Sequence, residues 1–335
     1  MAQINVNLNN SKMIYPSVID SKKAIFITFI AFIFAGFQAA IYGMLTIPIS
    51  KHFGITQEII VFYDSFGLWG QILAMATGGY LISRIKAKNV LILAALLMIV
   101  GSVGAVLAPN IEIYTLMAFL SNMAVGSVLV SCYYMTMGTV SKEGEGEGKL
   151  AIMNIFFSAG FMISPLINGL LIKNLGWEKI FYVIIFLFVL FIIILLVLNV
   201  NELADEGHKL KQQDKARSKD KGKRFDFLTP QVVLIALAFF MFVYFEQIIN
   251  YFNQPHMNLD LGIQIDVIGS IVTAYALSQM VGRAVFGKFL LPRVQTHRYL
   301  VTAAAITAVL FKINKYASMW RRSRDDPRLC SRNYG

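Results

Sequence analysis

Glu246, Asn250 and Asn253 fall at i, i+4 and i+7 within one apolar stretch, with Gln247 and Gln254 beside them. That spacing puts the three on one face of a helix. A carboxyl group in such surroundings can take up and release a proton or hold a polar ligand. The alternative is an amide-paired Glu that locks helices together. Gln38 and Tyr42, four residues apart, form a second polar pair in an apolar stretch, and Asn122, with Tyr133 and Tyr134 further along, marks a third. Amides and phenols can bind a polar ligand, although a lone Asn in a helix rich in Gly and Ser serves equally as a packing contact. Asp64 is a second carboxylate, about five residues inside one end of its apolar stretch. It is a candidate for proton binding or for an end gate, and a water-reached interfacial carboxylate is the other reading.

Enzymatic chemistry finds no support. There is no Ser/His/Asp set, no H-E-x-x-H and no pair of carboxylates at catalytic spacing, and the four His are scattered. Cys132 and Cys330 are too far apart in sequence for a disulfide framework or a zinc site, so neither a metal nor a cofactor is expected. The run Gly144-Glu145-Gly146-Glu147-Gly148-Lys149 imitates a phosphate loop, but its spacing is wrong and Leu150 stands where Ser or Thr is needed. Its two glutamates would repel phosphate, so a flexible turn is the expectation.

Polar groups of this kind need elements to hold them, and the composition says which. The chain has 335 residues, 57% apolar and 15% charged, with a mean hydropathy of +0.62. Soluble domains lie near 45–50% apolar and 25% charged. Apolar runs long enough to cross about 30 Å of hydrocarbon as helices fall at 24–49, 59–82, 89–108, 112–140, 150–172, 179–200, 230–253 and 266–291. A ninth run starts at Tyr299 and stops by Phe311.

Eighteen Lys and Arg lie on the side of the N-terminus, against Lys51, Lys173 and Lys179 on the other. The positive-inside rule therefore predicts a cytoplasmic N-terminus and a multi-pass protein of the cytoplasmic membrane. The net charge of +11 is mainly this orientation bias. Residues 201–229 carry eight basic and six acidic side chains without interleaved aromatics. A solvated connector is expected there, and no nucleic-acid partner. Arg283, about 12 Å from the inner edge of its span, is expected to snorkel toward lipid phosphates rather than pair with Glu246. Gly101, Ala105 and Gly126 are expected to permit close helix packing.

A shift of 208 residues superposes the first span on the seventh and the second on the eighth, pairing Gln71 with Gln279, Gly79 with Gly287, Gln38 with Glu246 and Tyr42 with Asn250. Two related bundles follow from that pattern. The turn after the second span reads Gly79-Tyr80-Leu81-Ile82-Ser83-Arg84-Ile85-Lys86-Ala87-Lys88. It resembles the G-x-L-a-D-r-x-G-r-k loop of the major facilitator superfamily, with Ser83 in place of the acid and Lys86 in place of the second glycine. Gly282-Arg283 and Gly287-Lys288-Phe289 look like the second copy, also without the acid. The stretches 43–54 and 156–165 are similar to the TsgA-type branch, near the sugar permeases.

The resemblance implies an all-α polytopic membrane protein with a cavity lined by spans one, four, seven and ten, in which one half rocks against the other. Gln38, Tyr42, Asn122, Asn250 and Asn253 would then contact solute, Glu246 and Asp64 would couple protons, and Gly79, Arg84, Lys88, Gly282, Arg283 and Gly287 would form the gating motifs. The organisation expected is a tail (1–23), a six-helix bundle (24–200), a linker (201–229), an incomplete second bundle (230–311) and a basic tail (312–335). The expected partners are a small solute and the bilayer, with the chain a monomer. A sugar, polyol or cationic metabolite suits the set better than an anion. From Met319 to Gly335 there are five Arg in 17 residues, against six in all the preceding chain, and apolar character stops at Lys312 and Lys315. A shifted frame near the ninth run is therefore expected, and with it the rival reading of a receptor-like or inactive remnant.

Overall fold

The computed structural model of the chain describes residues 21–140, 145–198, 253–258 and 261–285, with positions 230, 234 and 237. The chain separates into one unit, Met1–Arg283, and a second, Ala284–Gly335. All contacts given below lie within the first. Glu246, Asn250, Gly287 and the 201–229 connector lie outside the described residues, as do residues 1–20, the C-terminal tail and nearly all of the seventh span.

Eight long helices carry the described part, and it contains no strand. They are α1 (Ser21–Ala39), α2 (Ile41–Phe53), α3 (Gln57–Ile85), α4 (Ala87–Leu107), α5 (Ile111–Gly138), α6 (Glu145–Leu175), α7 (Glu178–Val197) and α8 (Ile265–Val285). Only Ala40 interrupts α1 and α2, so they form one apolar span from Lys22 to Phe53. Seven spans among the described residues are long and apolar enough to cross a membrane. Six of them coincide, to within a few residues, with apolar runs read from the sequence, and the seventh, Ile265–Gly282, begins where the run 266–291 begins, the end of that run lying outside the described residues.

The helix ends follow from local chemistry. Gly54, at φ 67°, closes α2 with its N–H on the Ser50 carbonyl, a left-handed cap that glycine adopts without a Cβ penalty. The Asn110 side chain accepts from the Ile113 amide at 3.0 Å and caps α5. Between α3 and α4 the turn is a single residue, Lys86, at φ 72° and ψ 151°. A side chain is strained there, in a region populated essentially by glycine.

Close packing among α3, α4 and α5 comes from small residues. The buried face of α3 reads Ile60, Asp64, Gly67, Gly70, Ala74, Gly78 and Ile82, a three-to-four-residue period. A Cβ on Gly70 would overlap the Phe119 carbonyl, and one on Gly78 would lie 2.9 Å from Val130. Gly126 answers from α5, with the Gln71 carbonyl 2.6 Å from where its Cβ would be. Gly101 on α4 abuts the Met117 carbonyl and the Ser121 hydroxyl, and Ala105 is buried. Without a hydrophobic drive between helices in lipid, such backbone approach supplies the association. Large apolar side chains point outward instead, among them Phe62, Trp69, Phe186 and Leu196.

A second seam joins α1 to α6 in parallel. Gly36 rests on the Phe157 carbonyl, Gly160 on the Ile33 carbonyl, and the Ser164 hydroxyl donates to the Phe37 carbonyl at 2.7 Å.

Candidate functional site

Tyr42 is the second residue of α2, just past the Ala40 interruption, and its hydroxyl gathers side chains from two directions. Gln38, one turn earlier on α1, donates to it at 3.3 Å. Asn122 on α5 donates at 3.0 Å, and its amide nitrogen also reaches the Ala118 carbonyl at 2.9 Å. With two donors on the phenol oxygen, the phenol's own hydrogen is left for a third group. Asp64, on α3, lies within electrostatic range of this hydroxyl. Gly67, one turn along α3 from Asp64, makes room: a Cβ there would lie 3.2 Å from the Asn122 amide nitrogen.

The cluster is dry. Gln38 is 1% exposed, Asp64 4% and Asn122 4%. Among the described residues the Gln38 amide oxygen has no hydrogen-bond partner. Burying such an acceptor unpaired costs about 1–3 kcal/mol, more for a charged group. The four side chains therefore offer more acceptors than they can satisfy among themselves, and the arrangement suits a ligand or proton that brings donors. Asp64, 4% exposed, is buried and is not the water-reached carboxylate of the interfacial reading.

Four side chains named from the sequence, Gln38, Tyr42, Asp64 and Asn122, are thus brought together. Others stand elsewhere. Asn253 is exposed at the start of a helical stretch, 253–258, whereas its neighbour Gln254 is buried. Tyr133 packs edge-on against Phe32 at 5.5 Å, and Tyr134 is half-buried.

Around the α3–α4 turn, Gly79 faces open space, Arg84 lies over the Tyr80 ring at 5.3 Å, and Lys88 is half-buried. On α8, Gly282 is also open on its Cβ side. Arg283 belongs to the same helix. The glycine-rich run near Lys149 has a structural use: the ammonium donates to the Thr139 carbonyl at 2.6 Å, at the C-terminal end of α5. A cation there complements the helix dipole.

Two groups of residues escaped the sequence reading. On α6, fully buried Asn168 donates to the Ser164 hydroxyl at 2.8 Å and extends the link to Phe37. Its spacing four residues after Ser164 was the available clue. At the far end of α6, Lys173 forms an ion pair with Asp266 of α8 at 2.7 Å. No spacing rule connects residues so far apart in sequence.

A model of the Major Facilitator Superfamily matches residues 27–311. The Protein TsgA homolog of Buchnera aphidicola subsp. Schizaphis graminum is 20% identical over 299 residues, covering 87% of this chain and 72% of the relative. The Protein TsgA homolog of Yersinia enterocolitica is 23% identical over 292 residues, covering 84% and 69%. Among solved structures, a D-xylose–proton symporter superposes with a TM-score of 0.60 at 15% identity, covering 77% of this chain and 66% of that one. A partially occluded, inward-open conformation of the xylose transporter of E. coli gives 0.61 at 13% identity, covering 82% and 74%. The chain thus spans about two thirds of the length of that symporter, and these structural likenesses concern the fold. Matched along most of its length, and with its spans where the sequence places them, the chain belongs to the Major Facilitator Superfamily.

Proposed function

We propose that the chain carries a small solute across the cytoplasmic membrane by alternating access, coupled to protons, with Asp64 as a proton-binding group. One observation carries this reading: a carboxyl 4% exposed, with no hydrogen-bond donor on it among the described residues, set beside a phenol that already receives two amide donors. A carboxyl in that position is stable when protonated and costly when charged. Its protonation state can therefore bias one conformation over another. Glu246, which the internal repeat pairs with Gln38, is the second proton-binding candidate.

The substrate class follows from the surplus of acceptors. Gln38 and Asp64 suit a donor-rich solute, a neutral sugar or polyol or a cationic metabolite, and neither attracts an anion. The xylose–proton symporters that share the fold are consistent with this choice. The N-terminus lies in the cytoplasm in this reading, with a six-helix bundle, a charged connector and a second bundle following in order, and the chain acts as a monomer.

Purified chain in proteoliposomes provides the test. Uptake of labelled polyols, sugars and cationic metabolites should rise with an inward proton gradient and collapse with an ionophore. Asp64→Asn should abolish the gradient dependence. Uptake of a carboxylate or phosphate, indifferent to the gradient and to Asp64→Asn and Glu246→Gln, would overturn the reading.

A further inference from the structure

Where α2 and α6 end and α8 begins, a cavity of about 460 Å³ opens among the three helices. That volume lies in the range of small-molecule sites. Ile47, Pro48, Ile172 and Ile265 give it apolar walls, and none of the Tyr42 cluster lines it. The polar groups of the lining differ in what they leave free. Asp266 is committed: its Oδ2 accepts from the Lys173 ammonium at 2.7 Å, and its Oδ1 is shut off from solvent. Asn258 is half committed, its amide nitrogen donating to the Ile263 carbonyl at 2.9 Å. Lys51 is uncommitted. It is exposed in the last turn of α2, and among the described residues no carboxylate pairs with it. The exposed side-chain amide of Gln264 likewise takes no hydrogen bond among the described residues.

The lining thus presents an unpaired ammonium, a free amide that can donate, and a second ammonium shared with one carboxylate. Lys51 and Lys173 against Asp266 leave a net charge of one positive unit. A cationic ligand would find no free carboxylate to pair with. A neutral one would leave Lys51 uncompensated, and a dianion would carry one charge more than the lining answers, beside Asp266. A single carboxylate matches the charge, and its two oxygens can accept from two donors at once. An exposed ion pair alone is worth little. The apolar walls supply the rest, to a ligand whose tail leaves water on binding.

We propose that this cavity is a binding site for a small amphipathic monocarboxylate. Its carboxylate accepts from Lys51 and Gln264, with Lys173 beside it, and its tail lies on Ile47, Pro48, Ile172 and Ile265. The ligand competes with Asp266 for Lys173. The site is separate from the Tyr42 cluster, whose surplus acceptors call for a ligand of the opposite kind, and it stands whether or not that cluster moves a solute.

Equilibrium dialysis of labelled hydrocinnamate against the full chain in lipid discs, corrected with discs lacking protein, tests the site. Saturable binding with a dissociation constant of about 1 mM is expected. Hydrocinnamamide and the matching primary amine, of the same shape without the negative charge, should not compete. Lys51→Gln should weaken binding about tenfold, the loss of a charge-assisted hydrogen bond. Lys179→Gln should leave it unchanged, because that ammonium lies over the Tyr182 ring and not in the lining. Asp266→Asn should tighten binding about two- to fivefold by releasing Lys173, a gain that misfolding cannot produce. Absence of saturable binding, equal competition by the amide or the amine, unchanged affinity in Lys51→Gln, or weaker binding in Asp266→Asn would each overturn the proposal. Binding that behaves as expected in a chain that takes up no solute leaves the site standing and removes the transport reading. Gradient-driven uptake without hydrocinnamate binding does the reverse.

Discussion

Asn122 reaches across from α5 to place its amide 3.0 Å from the hydroxyl of Tyr42, a residue 80 positions earlier in the chain. The same nitrogen holds the Ala118 carbonyl on its own helix. Both hydrogens of the Asn122 amide nitrogen are thereby engaged, one on α2 and one on its own helix. Tyr42→Phe leaves two amide donors without their acceptor and should lower stability by about 1–3 kcal/mol. In a double-mutant cycle with Asn122→Ala, a coupling of about 0.6–1.7 kcal/mol is expected, the range measured for hydrogen bonds between membrane helices. Unfolding in detergent micelles, followed by circular dichroism, measures both.

Asp64→Asn should make the protein more stable and less active. The substitution removes an ionisable group from a buried site where no described residue donates to it, and replaces it with a neutral amide of the same shape. A rise in melting temperature together with lost response to a proton gradient is the expected pair of results. A fall in melting temperature would show that the carboxyl holds the helices together.

Lys86 stands at φ 72° and ψ 151°, where the superfamily loop has its second glycine. The backbone at Lys86 takes a conformation that favours glycine. Lys86→Gly should therefore stabilise the chain by about 1–3 kcal/mol, less the entropy that a more flexible residue returns to the unfolded state. Comparison of melting temperatures checks this, with Lys88→Gly, a change inside a regular helix, expected to destabilise.

Gly70→Ala and Gly160→Ala should each cost about 1–3 kcal/mol, because the added methyl meets a neighbouring backbone rather than a movable side chain. Gly79→Ala, facing open space, should be neutral or slightly stabilising. Thermal unfolding of the three variants side by side separates packing from helix propensity.

Span positions were legible because hydrocarbon thickness sets a length that the chain must meet with apolar residues, and the α1–α2 run met it despite Pro48. The polar residues Gln38, Tyr42, Asp64 and Asn122 were legible singly, since each is expensive in lipid. Their convergence was not, because it depends on which faces of α3 and α5 meet, and the glycines that decide this are as compatible with other pairings. Asp64 was placed near a wet end by counting along one helix, a count that carries no information about what covers it. Lys173 and Asp266 are ordinary loop-edge charges in sequence, and only the three-dimensional register of α6 and α8 makes them partners. The constellation of Glu246, Asn250 and Asn253 touches the described residues only at Asn253, which is exposed.

The paired notches of Gly36 and Gly160 give α1 and α6 a mechanical character beyond adhesion. Each backbone is seated in the other's missing side chain, and the Ser164 bond to Phe37 pins them a turn away. Sliding one helix along the other would drive a carbonyl into a Cβ, so the pair can tilt or turn only as a single beam. Force applied where α6 touches α8 is then delivered, undiminished by slippage, to the helix that ends three residues before Tyr42.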